Sequence, residues 1–228
     1  MTEVKGATGA GPHAAVASRP GIGTWFSSMG SAIALVVSGV SLWETVLKQP
    51  NLKVYVGTTI SYTRDPWGSY EVFVVPITIK NSGAQDGAVM SMKLELTNAE
   101  TGQKDVFESA YTADASWFSG SDNLANRTKR PKSPFSPISI AGRSAWNGTI
   151  LFYSPEHREK KVAAPNSQVA GTLTVTAPDP EGWLERAFAK MPGAIPVAFG
   201  VPNYMPGALL SGDVARLKVS LGVPALQR

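Results

Sequence analysis

The chain is expected to fold as a mainly-β protein: an antiparallel sandwich of seven or eight short strands, preceded by one membrane-crossing helix and carrying a long, partly helical insertion before its last strand. Three observations lead there. The nineteen residues from Trp25 to Trp43 include no ionisable side chain. From Leu52 onward, apolar residues recur at period two in short runs bounded by Gly, Pro, Asn and Asp. Between the last two such runs lie residues 180–213, far longer than the about four to six residues that usually join elements in a compact domain.

Composition sets the outer bounds. With 228 residues, 43% of them hydrophobic and 17% charged, and with 22 glycines and 17 prolines, the chain suits one β-rich domain plus an appendage. Lys and Arg outnumber Asp and Glu by 21 to 17, a net charge of +4, too mild for a dedicated nucleic-acid binder, so no nucleic-acid partner is expected. Cysteine is absent, which excludes disulfides, thiolate metal sites and cysteine nucleophiles.

Residues 1–23 are mostly Gly, Ala, Ser and Pro without apolar periodicity and read as a disordered tail. Residues 24–48 read as a transmembrane helix. At 1.5 Å per residue, Trp25 to Trp43 covers roughly 28 Å, close to the ~30 Å of bilayer hydrocarbon. The two tryptophans fall where interfacial aromatics belong, and Glu44 and Lys48 mark the return to water. A cleaved signal and a soluble core helix are the competing readings; a signal would need an unusually long stretch before its apolar part, and no Ala-x-Ala site follows. Gly30, Ala34 and Ser38 recur at four-residue spacing, a small-residue ridge suited to packing against a second membrane helix. Lys5 and Arg19 on one side balance Lys48 and Lys53 on the other, so the charge rule leaves the side of the domain open.

The β domain is expected over residues 51–228. Leu52, Val54, Val56, Ile60 and Tyr62 form the inward set of a first strand, and Asp65–Gly68 turns the chain. Phe73, Val75, Ile77 and Ile79 line a second strand whose other face, with Val72 and Val74, is also apolar, so it should be central and covered on both sides. Pro76 within it conflicts with a central position. Met90, Met92, Leu94 and Leu96 alternate with polar residues in a third strand, Asn98–Gly102 makes a hairpin turn, and Val106–Tyr111 follows. Ile138 and Ile140, Ala145–Tyr153, Leu173 with Val175, and Ala215, Leu217, Val219 and Leu221 supply the rest. Short strands with polar turns and little helix describe an immunoglobulin-like (Ig-like) β-sandwich.

At "FVVPITIKNSGAQDGAVMSMKLELT", Phe73 to Thr97, and at "FSPISIAGRSAWNGTILFY", Phe135 to Tyr153, the chain resembles a family of uncharacterised bacterial proteins that join an N-terminal membrane helix to an Ig-like sandwich. The likeness covers about two thirds of the chain, from the helix to Tyr153. Its markers are structural, an apolar strand ending in Asn and Gly and a later "LFY" strand end, so it implies fold and topology and transfers no site.

Chemistry is sparse. His13 and His157 have no spaced partner for a metal site or a triad, and no glycine-rich loop opens a helix, so no cofactor, metal or catalytic residue is expected. Glu156 and Glu159 lie among Arg158, Lys160 and Lys161, a solvated loop rather than an acid–base pair. Two features stand above this background. Arg127, Lys129, Arg130 and Lys132 cluster in a loop that suits anionic lipid headgroups, against the plainer reading of a solvated loop. In the insertion, Trp183, Leu184, Ala187, Phe188 and Met191 share one face at helical spacing, and residues 194–210 carry no charge, though Pro196, Pro202 and Pro206 forbid a membrane span. Either this stretch completes the core, or Trp183, Phe188, Phe199 and Tyr204 form a surface that docks a partner or the bilayer.

The expected function is that of a non-enzymatic, single-pass membrane-anchored binding or accessory subunit of a larger complex in a bacterial inner membrane, its partners the lipid bilayer and an integral membrane protein. The alternative is a hydrolase or small-ligand receptor with a pocket under the 180–213 insertion.

Overall fold

Residues 22–48 contain no proline and, up to Trp43, no charge, and they form helix α1, Ile22–Leu42, which passes into a π-helical turn at Trp43–Leu47. Pro50 disfavours helix in the residue before it, and the chain leaves the helix there. This is a computed structural model describing residues 22–65, 70–113, 132–180, 182–188, 190, 192–210 and 213–220. Residues 1–21 of the expected tail lie outside these, as do Arg127, Lys129 and Arg130. Met29–Leu47 is long and apolar enough to cross a membrane, and none of it is buried. Gly30, Ala34 and Ser38 are all exposed on α1. The chain divides into two units, Met1–Trp43 and Glu44–Arg228.

The second unit is mainly antiparallel β, with twelve strands among the described residues: β1 Leu52–Val56, β2 Thr59–Arg64, β3 Glu71–Asn81, β4 Gly87–Val89, β5 Ser91–Asn98, β6 Lys104–Ala113, β7 Lys132–Pro134, β8 Ile138–Ile140, β9 Ala145–Tyr153, β10 Gln168–Thr176, β11 Ile195–Gly200 and β12 Ala215–Lys218. Ten belong to one sheet. Its order is β11-β10-β5-β6-β9-β3-β2-β12, with β1 added on β3 and β7 on β6; β4 and β8 pair separately. The outer strands almost meet: Phe199 in β11 bridges Val219, and Ser220 N–H donates to Ala198 C=O at 2.7 Å. The structure thus shows antiparallel β in a sheet nearly closed into a barrel, in place of the two separate sheets of seven or eight strands that periodicity suggested.

Most inward positions agree with the alternation. Phe73, Val75, Ile77 and Ile79 of β3 enter the main core, and Val72 and Val74 on its other face join Leu151, Tyr111 and Tyr153 in a second cluster. Phe73 stands at the middle, its ring centroid 5.1 Å from Tyr62, 4.8 Å from Phe107 and 5.9 Å from Phe199. Met90 does not follow its neighbours: it lies between β4 and β5, outside the alternation of β5, and is exposed. The expected first strand is also broken, into β1 and β2 at Gly57–Thr58.

That break accommodates Pro76. In a strand, a residue's N–H and C=O point to the same side, and Pro76 C=O accepts from Gly57 N–H at 2.8 Å. The missing N–H of Pro76 therefore faces the gap between β1 and β2, and the β3–β9 ladder runs past it from Val72 to Lys80 without loss.

The insertion is largely part of the fold. It holds a short helix, α2, Trp183–Phe188; then β11, which pairs with β10 from Gln168 to Leu173; then α3, Pro206–Leu210. Val197, Phe199, Val201 and Leu209 are buried in the main core.

Candidate functional site

The strands run between two ends, each built around buried polar side chains. At one end the chain enters from Glu44, and Asn81, fully buried at the end of β3, organises the loops. Its Oδ1 accepts from Asn51 N–H at 3.2 Å and Gly83 N–H at 2.9 Å, and its Nδ2 donates to Gln85 C=O at 2.8 Å and Ile140 C=O at 3.2 Å. Lys48 C=O accepts from Ala84 and Gln85 N–H at 2.9 and 3.1 Å, and Arg143 donates to Glu44 C=O. A side chain at Gly83 would collide with the Gln49 carbonyl, so only glycine allows this approach. Residues 48–51 are thereby fastened to the domain rather than left as a free linker.

Beside this junction is a cavity of about 130 Å³, lined by Gln49, Pro50, Asp86, Asp179, Pro180 and Lys190 among others. Gln49 is buried, and its Oε1 has no hydrogen-bond partner. Asn51 and Lys190 form a parallel bridge. Helix α2 therefore begins and ends beside the point where the chain enters the domain.

The other end holds a buried acid. Glu71 opens β3 and is 2% exposed; its Oε1 accepts from Tyr62 OH at 2.9 Å and Ala163 N–H at 3.0 Å, and its Oε2 from Val162 N–H at 3.0 Å. Asp105 is also buried, accepting from Ser154 Oγ at 2.9 Å and pairing with Arg158 Nε at 3.2 Å. Asn98 Nδ2 donates to Val162 C=O at 2.8 Å and Ser167 Oγ at 2.9 Å, while its Oδ1 holds the hairpin turn through Glu100 and Thr101 N–H. Together these three side chains pin the loop from Ser154 to Ser167. Arg64 Nη2 reaches Tyr204 OH at 3.5 Å, and Tyr204 OH donates to Ala163 C=O.

Burial lifts the Glu71 carboxyl above the usual range, against the pull of its three donors and the Lys161 charge. Burial likewise raises the Tyr62 and Tyr204 hydroxyls and lowers Lys161. A carboxyl whose folded pKa lies above its unfolded value of about 4.3 gives stability that is complete below that value and is lost as pH rises through the folded one. Glu71→Gln removes the titration and turns an NH₂ toward Val162 N–H, at a cost of about 1–3 kcal/mol. Melting wild type and variant over a pH series should show the wild-type advantage largest in acid and shrinking as pH rises. An advantage that grew with pH would mean a depressed folded pKa.

The four insertion residues proposed as one docking surface are divided by the fold. Trp183 is 75% and Phe188 51% exposed on α2, whereas Phe199 is 2% exposed and Tyr204 is half-buried against Tyr62, with ring centroids 5.8 Å apart. Phe199 is therefore a core residue, because it faces inward from a strand that residues 180–213 were not expected to contain. Lys132 begins β7 opposite Ala113. Glu71 escaped notice in the sequence, and Asn81 stood there only as part of the Asn and Gly that end an apolar strand; the available signal for Glu71 was a charged residue heading the run "EVFVVPITI", apolar on both faces.

No family model matches the chain, and no curated protein does. Among solved structures it is similar to a structural-genomics crystal structure assigned to an ApaA protein of Bordetella pertussis, at 15% identity over 69% of this chain and 93% of that one, with a TM-score of 0.27. At that TM-score the likeness supports neither a shared fold nor a shared activity.

Proposed function

We propose that the chain is a non-enzymatic, single-pass accessory or binding subunit of the bacterial inner membrane, its β domain held at the bilayer by α1. The observation that carries this reading is the wholly exposed apolar span Met29–Leu47, followed within a few residues by a chain segment hydrogen-bonded into the domain. An apolar helix of that length, unburied by its own chain, calls for lipid or another helix around it. Gly30, Ala34 and Ser38 offer the close-approach face for an integral membrane partner. The buried acids support the reading from the other side: Glu71 and Asp105 accept hydrogen bonds from this chain's own loop, a structural task. The alternative of a receptor or hydrolase with its pocket under the 180–213 insertion is weaker, because the cavity that this insertion lines measures about 130 Å³, well below the ~300–1,000 Å³ of usual ligand pockets.

Tagged full-length protein, extracted from its native membrane in mild detergent, should elute with an integral membrane companion in fixed ratio. Exchange of Gly30, Ala34 and Ser38 for leucine should strip that companion while leaving the chain in the membrane. Elution of the wild-type chain alone would sink the accessory-subunit reading.

A further inference from the structure

We propose that the outer face of the sheet carries a saccharide-binding groove, formed where β1, β3 and β9 run side by side. The inference concerns the β domain alone and stands apart from the anchoring role of α1. Val56 and Ile77 belong to the main core, so by alternation Tyr55, Pro76 and Thr78 turn to the other face of the sheet. Register sets the outward residues in two rows: Tyr55 beside Thr78 beside Asn147, and Pro76 beside Thr149. The rows lie about 7 Å apart along the strands, and the first spans about 10 Å across them. Over these rows opens a groove of about 470 Å³, inside the ~300–1,000 Å³ of usual ligand sites. Among the described residues, none of the 180–213 insertion lines it.

The chemistry of the groove is neutral and rich in hydroxyls. None of the described residues that line it is charged, although Lys53 and Lys80 stand one row further along the same face. An ionised ligand would find no counter-charge within the groove, so the occupant is uncharged. Thr149 forms the floor. It is 4% exposed, and its hydroxyl has no partner among the described residues yet is not sealed from solvent, so it opens into the groove as both donor and acceptor. Thr78 Oγ1 donates to Asn147 Oδ1 at 2.7 Å, which fixes the amide and leaves Asn147 Nδ2 to donate and the Thr78 oxygen to accept. Tyr55, 53% exposed, adds an aromatic face, and exposed Pro76 adds an apolar ring beside Thr149. A sugar ring is the complement of this set: its C–H face lies against the rings of Tyr55 and Pro76, and its hydroxyls meet Thr149, Asn147 and Thr78. An extended peptide would present its polar groups along one line, whereas these are spread in two dimensions over the face.

Full-length protein, purified in a detergent without a sugar headgroup, is titrated with maltotetraose, cellotetraose, chitotetraose and mannotetraose while saturation-transfer NMR reads the bound sugar. At least one should bind saturably, with the strongest transfer at ring C–H protons. Tyr55→Ser, Asn147→Ala and Thr149→Val should each weaken that sugar about fivefold. Tyr55→Ser and Asn147→Ala should keep the wild-type melting temperature, since both side chains are exposed, so these two decide the matter even where Thr149→Val disturbs the floor. Binding by none of the four sugars overturns the inference. Binding that all three substitutions leave unchanged places the sugar elsewhere and overturns it too. Tighter binding of sialyllactose, an anionic sugar, than of every neutral one would contradict the uncharged character of the groove. A capped tetra-alanine that binds where no sugar does would assign the groove to an extended peptide and equally overturn the proposal.

Discussion

Exchanging Ile195–Leu210 for a short Gly/Ser linker is expected to unfold the β domain under conditions where the intact chain is folded. The segment contributes Val197, Phe199, Val201 and Leu209 to the main core. Emptying one Phe site costs about 3–5 kcal/mol and one Leu site about 2–5 kcal/mol, so the four losses together approach or exceed the ~5–15 kcal/mol that holds a whole domain folded. The loss reaches the hydrogen-bond ladder as well. Without β11, the outer edge of β10 from Gln168 to Leu173 is unpaired, and the bridge from Phe199 to Val219 that nearly closes the sheet is gone. Replacing Trp183 by serine instead should leave the melting temperature nearly unchanged, because that side chain is 75% exposed. Thermal melts of the two variants, followed by circular dichroism, separate these outcomes. A β11 excision that melted close to wild type would show that the core does not depend on the insertion.

Removing residues 1–43 should convert a protein that stays with the membrane through alkaline carbonate into one found wholly in the soluble fraction, with the β transition preserved. Among the described residues, the main core is drawn from Leu52 to Val219, so the β domain carries a core of its own. The exposed span Met29–Leu47 is what would partition into lipid. Sedimentation before and after carbonate, with N-terminal sequencing of the membrane fraction, checks both halves. Full-length protein released by carbonate, or a mature N-terminus near Val40, would mean a cleaved signal and overturn the anchor.

What could be read without coordinates was local. The apolar span showed itself through length and the absence of charge, properties that neighbours along the chain carry. The alternation of Phe73, Val75, Ile77 and Ile79 identified β3 and its inward face, and Val72 with Val74 showed it to be covered twice, because side-chain direction in a strand follows from parity alone. The Asn98–Gly102 turn was legible for the same reason: Asn98 caps its own turn, and Gly102 takes a φ of +68°. On the candidate site, Trp183 and Phe188 were marked out by helical spacing and now share the exposed α2.

The tertiary structure decided whatever depends on partners distant in sequence. Ile195–Gly200 became a strand because β10 offers it an edge and the core offers Phe199 a place beside Phe73; Ile195, Val197, Phe199 and Val201 alternate at period two, but Pro196 within the run and Pro202 after it argue against a strand until its partner edge is seen. Pro76 could be judged only once β1 and β2 were seen to part at Gly57. Glu71 and Asn81 acquire their roles from donors and acceptors up to 92 residues away, as with Ala163 N–H and Glu71 Oε1. Apolar burial within β3 and β5 follows short-range alternation and was visible there, with Met90 just before β5 and Phe199 in β11 the departures. Hydrogen-bond satisfaction of a buried polar group is a property of the assembled fold, since the groups that satisfy it meet only when the chain has closed around them.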